Sequence, residues 1–438
     1  MIDDRGALAR SPAHDLALDC LVAGIEAAHP ERVCRDAITL SGSQLRVEDA
    51  VYDLDAYDEV LVLGGGKAAG QVAAVLEDLL GEALDGGVVV TDDPVPTDRV
   101  DVVEGSHPVP DESGLGGARR VRERAARATA GTLVLAVLTG GGSALLPAPA
   151  GDLSLSDLRA TTDALLDSGV AIDEINAVRK HCSALKGGRL AAAAAPATVV
   201  TLAFSDVVGD DLSVVASGPT VPDPTTYADA LAVLDRYALA VPDAVRPHLE
   251  AGAAGEHPET PGPGDIEGRA HVLATAWTAI EAAREVARER GYGTLVLSSR
   301  VRGEAREQGL AHAAVAEELA ATGNPLDPPA VVLSGGETTV TVTGDGTGGP
   351  NQEFALRAAL ALDDGVVGAV DTDGRDGGTD AAGALVDGAT VPDPQTAARG
   401  RAALADNDAK PFLADRDALI HTGRTGTNVN DLRVVVVR

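Results

Sequence analysis

The sequence predicts two α/β domains, the first of them built on a Rossmann-like, doubly wound and mostly parallel sheet. Short β-branched runs alternate with longer alanine-rich amphipathic segments, which is the pattern of parallel strands covered by helices on both faces. Residues 251–268 interrupt this pattern with a proline- and glycine-rich stretch that is typical of a surface linker. We therefore expect an N-terminal domain over 1–268 and a C-terminal domain over 269–438, with an active-site cleft between them.

Each strand and helix is predicted from its own run of residues. The apolar runs that predict strands of the first domain are Val60–Leu63, Val88–Thr91, Leu133–Leu138 and Val199–Phe204. The amphipathic segments that predict its helices are Ala68–Leu80, Gly114–Ala130, Asp157–Ser168 and Ile172–Ala195. The second domain repeats the pattern, with strands at His271–Ala274, Thr294–Leu297, Ala330–Leu333 and Arg433–Val437, helices at Thr275–Arg290 and Glu304–Thr322, and a hairpin strand at Thr338–Thr343.

The composition excludes several classes of protein. The chain carries 35 Lys and Arg residues against 67 Asp and Glu residues, which gives a net charge of −32 at pH 7. Such a surface repels phosphate backbones and anionic lipids, so we expect neither nucleic acid nor membrane as a partner. No apolar run reaches the ~18 residues of a membrane span, the first residues do not resemble a signal peptide, and the three cysteines form no CxxC pair. These features favour a reducing cytoplasm, and a homodimer stays open.

The charged residues also predict a salt-dependent protein. Lysine occurs only at Lys67, Lys180, Lys186 and Lys410, and this excess of acids with few lysines is typical of a halophile cytoplasm. At about 0.01 M salt the Debye length is ~30 Å, so the carboxylates repel one another across the surface. We expect the Tm, followed by circular dichroism, to rise between roughly 0.05 and 2 M KCl, where screening becomes nearly complete. A constant Tm over this range would contradict the prediction.

The first candidate site is the turn LGGGKAAG, where an apolar strand runs into Gly64, Gly65 and Gly66, then Lys67 and a helix. Glycines allow a tight turn and a close approach of the backbone, helix N-terminal N–H groups bind anions, and lysine adds a full charge. The pattern indicates a phosphate or carboxylate site; a plain turn with a solvated lysine is the alternative. Neither Walker A spacing nor GxGxxG spacing is present.

A second glycine-rich turn, TGGGSALL, follows the strand at Leu133–Leu138. Gly140, Gly141 and Gly142 again offer backbone N–H groups, and Ser143 is a hydroxyl donor or a helix cap. Such a turn is often purely structural. Two of them at the carboxyl ends of strands in one parallel sheet nevertheless predict a ligand cleft at that edge.

A basic cluster follows in the segment INAVRKHCSALKGGRLA, where Arg179, Lys180, Lys186 and Arg189 lie close together in a strongly acidic chain. In one continuous helix Arg179 and Lys186, seven residues apart, would share a face. The cluster indicates an anion-binding edge of the cleft, for which we select Lys186. Surface charges that offset neighbouring acids are the alternative.

Acidic and hydroxyl residues follow the strand at Val199–Phe204 in FSDVVGDDLSVVASGPT. A carboxylate directly after a strand can hold Mg²⁺ or accept a proton from a substrate hydroxyl, which makes Asp206 a candidate with Asp210 as a second metal ligand. Aspartate is common in this chain, so solvated surface acids are the alternative. The SGPT turn adds three candidate nucleotide-binding residues: Ser217, Gly218 and Thr220.

Three loops of the second domain are candidates for nucleotide contact. Glu337 follows a glycine pair in LSGGETT, and a glycine-rich loop leads into a helix near Asn351. The loop HTGRTGTN, which contains Arg424, either contacts a nucleotide or substrate or has a composition that only serves to form a turn. The aspartate-rich VDTDGRDGGTD lacks the distal glutamate of an EF-hand. In the first domain, a loop histidine such as His107 is more often a packing residue than a catalyst.

Together these motifs resemble the class II glycerate kinases, the glycerate 2-kinase family with a MOFRL domain at its C-terminus. The resemblance covers nearly the whole chain, from GGGKAAG through GSHPVPD, TGGGSALL, SDVVGDDLSVVASGPT, SGGETTV and TDGRDGGTDAAGA to TGTNVNDL. It implies a glycerate kinase domain over 1–268, a MOFRL-type domain over 269–438, and phosphorylation of D-glycerate to 2-phosphoglycerate with ATP and Mg²⁺. It also implies that Lys67 acts at the phosphate or substrate and that Asp206 is a base or a metal-linked acid.

The chain departs from the family pattern in two loops. Pro350 stands where the family loop GGRNQE has arginine, and Arg424 stands where the family loop GPTGTN has proline. We expect Arg424 to take over the charge that Pro350 removes. Independent drift with weakened substrate binding is the alternative.

Two other functions remain open. Some relatives carry the label hydroxypyruvate reductase, although neither glycine-rich turn of the first domain has the GxGxxG spacing of a dinucleotide site. The second is a protein that binds a small acid and has lost catalysis with the family arginine.

Overall fold

The computed structural model describes all 438 residues, which divide into two compact units. Val33–Leu273 form the inner unit, and Met1–Arg32 together with Ala274–Arg438 form the terminal unit. The sequence analysis instead assigns the first residues to the same domain as the residues that follow them. In the structure the chain begins in the terminal unit, passes through the inner unit and returns.

The helices alternate with strands along most of the chain. None of them combines the length and the apolar character that crossing a lipid bilayer requires. In chain order they are α1 (Arg5–Leu8), α2 (Pro12–Ala27), α3 (Pro30–Ala37), α4 (Ala69–Leu80), α5 (Glu112–Ala125), α6 (Gly142–Leu145), α7 (Leu155–Asp167), α8 (Ile172–His181), α9 (Arg189–Ala194), α10 (Tyr227–Arg236), α11 (Val245–Ala253), α12 (Ala276–Glu289), α13 (Ala305–Thr322), α14 (Pro350–Ala359), α15 (Pro394–Ala405) and α16 (Ala409–Ala414).

The strands form three sheets. In chain order they are β1 (Ile38–Ser41), β2 (Gln44–Val47), β3 (Ala50–Asp53), β4 (Glu59–Gly65), β5 (Gly86–Thr91), β6 (Val100–Glu104), β7 (Thr132–Thr139), β8 (Thr198–Phe204), β9 (Arg269–Ala274), β10 (Gly293–Val301), β11 (Ala330–Gly336), β12 (Val366–Asp371), β13 (Gly383–Asp387), β14 (Leu419–Ile420) and β15 (Asp431–Val437). β1 to β3 form a small antiparallel meander that the sequence analysis did not predict.

The inner sheet has the strand order β6-β5-β4-β7-β8-β9 and is parallel from β6 to β8. From β4 the chain moves outward through β5 to β6, then returns to the other side of β4 and moves outward through β7 to β8. The loops after β4 and β7 therefore leave neighbouring strand ends in opposite directions, which is where open α/β sheets bind ligands. Every residue of β7 is buried, as its continuous apolar run requires. The predicted doubly wound, mostly parallel sheet is confirmed.

The terminal sheet has the order β10-β11-β15-β12-β13-β14 and is antiparallel except between β10 and β11. The last strand of the chain, β15, lies in its centre and is buried along its whole length. A strand in this position must pair on both edges, which explains its run of valines.

Helix α2 explains why the first residues belong to the terminal unit. Leu18 and Leu21 of this helix are completely buried, and α2 packs against α12 and β15. Gly24 permits this close packing, because a Cβ there would lie 2.3 Å from Leu432 Cδ2 and 2.9 Å from the Ala279 carbonyl oxygen. Each buried leucine contributes roughly 1.5–3 kcal/mol to stability.

The prediction of one helix over Ile172–Ala195 is wrong. A turn separates α8 from α9, because Gly187 (φ +58°) and Gly188 (φ +78°) adopt left-handed conformations that an α-helix cannot contain. Lys186 lies in this turn, so the expectation that it shares a helix face with Arg179 is also wrong. Both residues nevertheless line one cavity, which is described below.

The predicted hairpin strand at Thr338–Thr343 is also wrong. β11 is already paired on both edges, by β10 and by β15. The backbone N–H of Thr341 lies within hydrogen-bond distance of the Glu304 carboxylate, and that of Thr343 donates to Asn407 Oδ1 at 2.7 Å. Side chains therefore satisfy the donors that a strand partner would have used.

Residues 251–268 are only in part a surface linker. Their first residues complete α11, Thr260 is buried, and Glu259 accepts a hydrogen bond from the Tyr227 N–H and lies 2.8 Å from His181 Nε2. The next strand, β9, lies beside β8 in the inner sheet, whereas the sequence analysis placed it in the second domain. Local composition carries no information on such distant contacts.

Candidate active site

The two glycine-rich turns after β4 and β7 lie together and are joined by hydrogen bonds. Lys67 donates its backbone N–H to the carbonyl oxygen of Gly140 at 2.8 Å. Ala68 donates its N–H to Thr139 Oγ1 at 3.1 Å, and the Thr91 hydroxyl at the end of β5 donates to the Lys67 carbonyl oxygen at 2.8 Å. Neighbouring strand ends therefore hold the turn that carries Lys67 in place.

Two glycines make this arrangement sterically possible. Gly66 has a φ of +141°, and a Cβ on it would lie 2.2 Å from Thr139 Oγ1. Gly141 has a φ of +75°, and a Cβ on it would lie 3.0 Å from both Lys67 Cγ and His107 Cδ2. The side chains of Lys67 and His107 thus both lie against Gly141. Of the remaining glycines of the two turns, Gly64 and Gly65 end β4, Gly140 directly follows β7 and Gly142 begins α6.

A chain of hydroxyl groups begins at the second turn. Ser143 Oγ lies 2.6 Å from Ser217 Oγ, and the Ser217 hydroxyl donates to Asn176 Oδ1 at 2.8 Å. A serine hydroxyl has one proton, so the proton between the two serines is that of Ser143. Ser217 and Asn176 are buried, which makes them supports of Ser143.

Two cations of the basic cluster lie near this serine. Lys186 is 5 % exposed and donates from Nζ to the carbonyl oxygen of Leu146 at 2.9 Å. Burial and the neighbouring charge of Arg179 lower the pKa of Lys186 to about 7. Burial also lowers the pKa of Arg179, whose guanidinium makes no hydrogen bond or ion pair within the protein.

Lys180, by contrast, is part of the protein's internal packing. Its Nζ lies 3.1 Å from Asp223 Oδ1, and both side chains are at least 96 % buried. Asp223 also accepts hydrogen bonds from Thr225, and these interactions outweigh desolvation and lower the pKa of the Asp223 carboxyl. This pair fixes α8 to the loop before α10.

A cavity of about 200 Å³ opens between these groups. No carboxylate lines it. Its polar lining consists of the side chains of His107, Ser143, Thr161, Thr162, Arg179, Cys182, Ser183 and Lys186, and its apolar walls are formed by Pro108, Pro110, Ala144, Pro147, Leu158 and Leu166. The sequence analysis assigned no site role to Arg179 or His107, although the basic cluster was a signal for Arg179.

The loop after β8 contains the remaining candidates of the inner unit. Asp206 is half-buried directly after the strand, and Asp210 takes a left-handed conformation with φ +59°. Thr220 is buried and accepts a hydrogen bond from the Thr201 hydroxyl at 2.7 Å, while the Gly218 carbonyl oxygen accepts one from the Gly188 N–H at 2.7 Å. Gly218 and Thr220 therefore both accept hydrogen bonds from within the protein.

The terminal unit holds the other predicted site residues. Glu337 is exposed at the end of β11, where its N–H donates to the Val301 carbonyl oxygen at 3.0 Å. Arg424 is exposed in a loop whose next residue, Thr425, donates its N–H to the Asp373 carbonyl oxygen at 3.3 Å. Gly423 is left-handed, as the loop's turn requires.

Asn351 is engaged inside the terminal unit. It is 1 % exposed, and its Nδ2 donates to Asp431 Oδ1 at 2.6 Å and to Asp376 Oδ1 at 3.1 Å. The Asp376 carboxylate also accepts the N–H groups of Asn351 and Gln352 at the start of α14. Burial nevertheless raises the pKa of Asp376 to about 7. The side-chain donors of Asn351 are committed to this network, so it positions the Pro350 loop.

Metal-ligating side chains form one further group, in which Glu48, Asp49 and His271 lie together. Arg269 donates to both carboxylate oxygens of Asp49 at 2.7 Å, and His271 Nδ1 lies 2.7 Å from Glu48 Oε2. The protein itself therefore already engages the Asp49 carboxylate, Glu48 Oε2 and His271 Nδ1.

Comparison with known proteins gives consistent matches over both units. A family described as a domain of unknown function, DUF4147, matches residues 16–250, and the MOFRL family matches residues 330–431. A D-glycerate 2-kinase from Thermotoga maritima is 38 % identical over 431 residues, which are 96 % of this chain and 98 % of that protein. A putative hydroxypyruvate reductase from Agrobacterium vitis is 43 % identical over 390 residues, which are 86 % of this chain and 87 % of that protein.

A solved structure extends the likeness to the fold. The crystal structure of a glycerate kinase from Thermotoga maritima superposes with a TM-score of 0.83 at 36 % identity, and the match covers 97 % of this chain and 99 % of that chain. Sequence and fold agree over nearly the whole length. The chain belongs to the glycerate 2-kinase family, with a DUF4147 region followed by a MOFRL region.

Proposed function

We propose that this protein is an ATP-dependent kinase that transfers the γ-phosphoryl group of ATP to the 2-hydroxyl of D-glycerate. The products are 2-phospho-D-glycerate and ADP. The observation that carries the proposal is the pair of joined glycine-rich turns that presents Lys67 at the switch point of the inner sheet. Backbone N–H groups and one lysine at such a point suit a phosphoryl group.

The chemistry assigned to the chain is positioning and charge neutralisation. The oxygen of the 2-hydroxyl forms a bond to the γ-phosphorus while the bond from that phosphorus to the β,γ-bridging oxygen breaks. Asp206 orients the 2-hydroxyl and takes its proton, and ADP leaves with the bridging oxygen. Lys67 offsets the charge that is shared by the three oxygens of the transferring group.

Asp206 and Asp210 are the proposed ligands of Mg²⁺. Both follow β8 within one loop and offer carboxylate oxygens, which are the ligands that this hard cation prefers. A bound Mg²⁺ would supply positive charge to the phosphate oxygens of ATP. Ser217, Gly218 and Thr220 support this loop, and Glu337 stays a proposed nucleotide contact.

The test is a coupled assay that measures ADP from ATP and D-glycerate, with phosphorus NMR to locate the new phosphate. We expect ADP formation that requires D-glycerate and a product phosphorylated at the 2-position. Phosphate at the 3-position would overturn the assigned regiochemistry. Tight glycerate binding by calorimetry without ADP would identify a binding protein instead.

Reduction of hydroxypyruvate is the second candidate function, because the relative from Agrobacterium vitis carries that name. Residues 344–349 read GDGTGG, but this stretch begins eight residues after the end of β11 and packs against Asp376 and Asp406, so it is not the tight strand-to-helix turn that usually binds a dinucleotide. Oxidation of NADH with hydroxypyruvate, followed at the nicotinamide absorbance band in parallel with the kinase assay, separates the two functions.

The exchange of residues at Pro350 and Arg424 gives a prediction of its own. If Arg424 replaces the missing family arginine, Arg424→Ala will raise KM for glycerate or lower kcat at least tenfold, because a planar guanidinium binds carboxylate or phosphate through two hydrogen bonds. The double variant Pro350→Arg with Arg424→Pro should recover most of this loss. Steady-state kinetics of the three proteins provide the measurement, and unchanged constants for Arg424→Ala would favour independent drift.

A further inference from the structure

We propose that the cavity beside Lys67 is the subsite for the acid end of the substrate, with Arg179 and Lys186 binding its carboxylate and Ser143 accepting a hydrogen bond from its other hydroxyl. This inference rests on the proposed function and names the residues that select the substrate. The subsite would take a short carboxylic acid that carries two hydroxyl groups.

The charges of the cavity point to an anionic ligand. Arg179 and Lys186 are both largely buried, and no carboxylate lies among the residues that line the cavity. Neither residue forms an ion pair, since Lys186 donates only to a neutral carbonyl oxygen; buried cations without an anionic partner are costly to a fold, and a chain with net charge −32 has many acids that could have paired with them. An anion that enters from solvent is the partner that this arrangement lacks.

The size of the cavity limits the ligand. Its volume of about 200 Å³ is below the roughly 300 Å³ at which pockets for drug-sized molecules begin. The walls formed by Pro147, Leu158 and Leu166 offer no partners to a triphosphate. A three-carbon acid fits this volume, whereas a whole nucleotide does not.

The directions of the hydrogen bonds between Ser143, Ser217 and Asn176 determine whether Ser143 can donate to a ligand or accept from it. Ser217 gives its only proton to Asn176, so Ser143 gives its own proton to Ser217 and keeps lone pairs for the cavity. Ser143 is therefore an acceptor, and a ligand hydroxyl is the donor that it suits. In D-glycerate this is the 3-hydroxyl, because the 2-hydroxyl is the proposed phosphoryl acceptor.

The position of Lys67 agrees with this orientation. Its stem and the ring of His107 lie on Gly141, which also lines the cavity. In the proposed orientation the carbon next to the carboxylate, which carries the 2-hydroxyl, lies on the Gly141 side of the cavity, toward Lys67. The acid end and the reacting end of the substrate are then separated by one carbon–carbon bond.

The test compares three variants by steady-state kinetics: Arg179→Met, Ser143→Ala and, as a control, Arg246→Met. Arg246 pairs with Asp235 on the surface and does not line the cavity. We expect Arg179→Met to raise KM for D-glycerate at least tenfold with KM for ATP changed less than twofold. Ser143→Ala should raise KM for D-glycerate at least fivefold. The inhibition constant of D-lactate, which lacks the 3-hydroxyl, should stay within twofold of the wild-type value.

The outcomes separate this inference from the proposed function. If Arg179→Met leaves KM for D-glycerate unchanged, or raises KM for ATP instead, the cavity is not the acid subsite. If Ser143→Ala weakens D-lactate as much as D-glycerate, the role of Ser143 is overturned. If the wild-type protein forms no ADP, the proposed function fails, and calorimetry of D-glycerate with wild-type and Arg179→Met protein decides the subsite independently.

Proton uptake gives a readout that a structural role would not produce. The pKa of Lys186 near 7 leaves its amine mostly neutral at pH 8, and a bound carboxylate favours the charged form and raises that pKa. Binding at pH 8 should therefore take up a proton, measured by calorimetry in two buffers of different ionisation enthalpy. The other titratable groups of the cavity are Arg179, His107 and Cys182, and burial raises the pKa of the Cys182 thiol to about 12.

The uptake should vanish in Lys186→Met and persist in His107→Asn. Loss of the uptake in His107→Asn, or no uptake in the wild-type protein, would overturn the assignment of Lys186. Thermal denaturation monitors the fold of Lys186→Met. Burial lowers the pKa of Lys186, and at pH 6 its amine is charged, which makes its burial unfavourable. Replacement of Lys186 by methionine should therefore not lower the Tm at pH 6.

Discussion

Lys67→Ala should leave less than a tenth of the wild-type kcat and an unchanged Tm. Loss of one contact to the transferring phosphoryl group should cost at least ~1.4 kcal/mol of transition-state stabilisation, which is tenfold in rate. The Lys67 backbone N–H and carbonyl oxygen make hydrogen bonds to Gly140 and Thr91 that hold the turn, and alanine keeps both of them. The measurements are kcat in the ADP-coupled assay and thermal denaturation by circular dichroism.

Lys410→Ala is the matched control. Lys410 is one of the four lysines of the chain, and its Nζ forms an ion pair with Asp380 Oδ1 at 2.7 Å, where the Asp380 side chain is 73 % exposed. Such pairs contribute at most ~1 kcal/mol, so kcat should be unchanged. A Lys67→Ala protein that keeps more than about a tenth of the activity would remove Lys67 from the catalytic machinery.

Asp431→Ala should lower the free energy of unfolding of the terminal unit by about 3–5 kcal/mol, the usual cost of leaving a buried charge without its partner. Arg433 is completely buried in the centre of the terminal sheet and pairs with Asp431. It also donates to Thr338 Oγ1 at 2.8 Å and lies over the Phe354 ring at 5.0 Å. Without Asp431 no carboxylate compensates this guanidinium.

Denaturant unfolding at constant high salt measures the effect. Asp364→Ala is the control, because it breaks the exposed pair with Arg438 and should cost no more than ~1 kcal/mol. The double variant Asp431→Leu with Arg433→Met removes both charges and should recover much of the loss. If Asp431→Ala shifts the unfolding free energy by no more than the control does, the pair does not stabilise the unit.

Several strands follow directly from local sequence. The continuous apolar runs at Leu133–Leu138 and Val199–Phe204 lie inside β7 and β8, because strands buried on both faces need no alternation. The glycines before Lys67 correctly indicate a tight strand-to-helix turn. These signals are local, since the residues that produce them are neighbours in the chain.

The candidate site contains contacts between distant residues that local sequence patterns do not predict. Ser143 meets Ser217 across 74 positions of sequence, and no spacing rule predicts that contact. The turn at Gly187 and Gly188 brings Lys186 back toward Arg179, which a continuous helix would not do in the same way. The sequence analysis selected Lys186 from the basic cluster and left Arg179 without a role, although both line the cavity.

By itself the sequence determined the α/β class, the doubly wound sheet, the two glycine-rich turns that follow strands and the family, because hydrophobic periodicity, glycine-rich turns and ordered motifs act over short stretches of chain. Only the tertiary structure decided that Met1–Arg32 packs with Ala274–Arg438, that β9 lies in the inner sheet and that Lys180 is an internal ion pair while Arg179 faces a cavity. Those outcomes depend on which apolar faces and charges meet after the chain has folded, and burial and pairing are properties of the contact rather than of the residue.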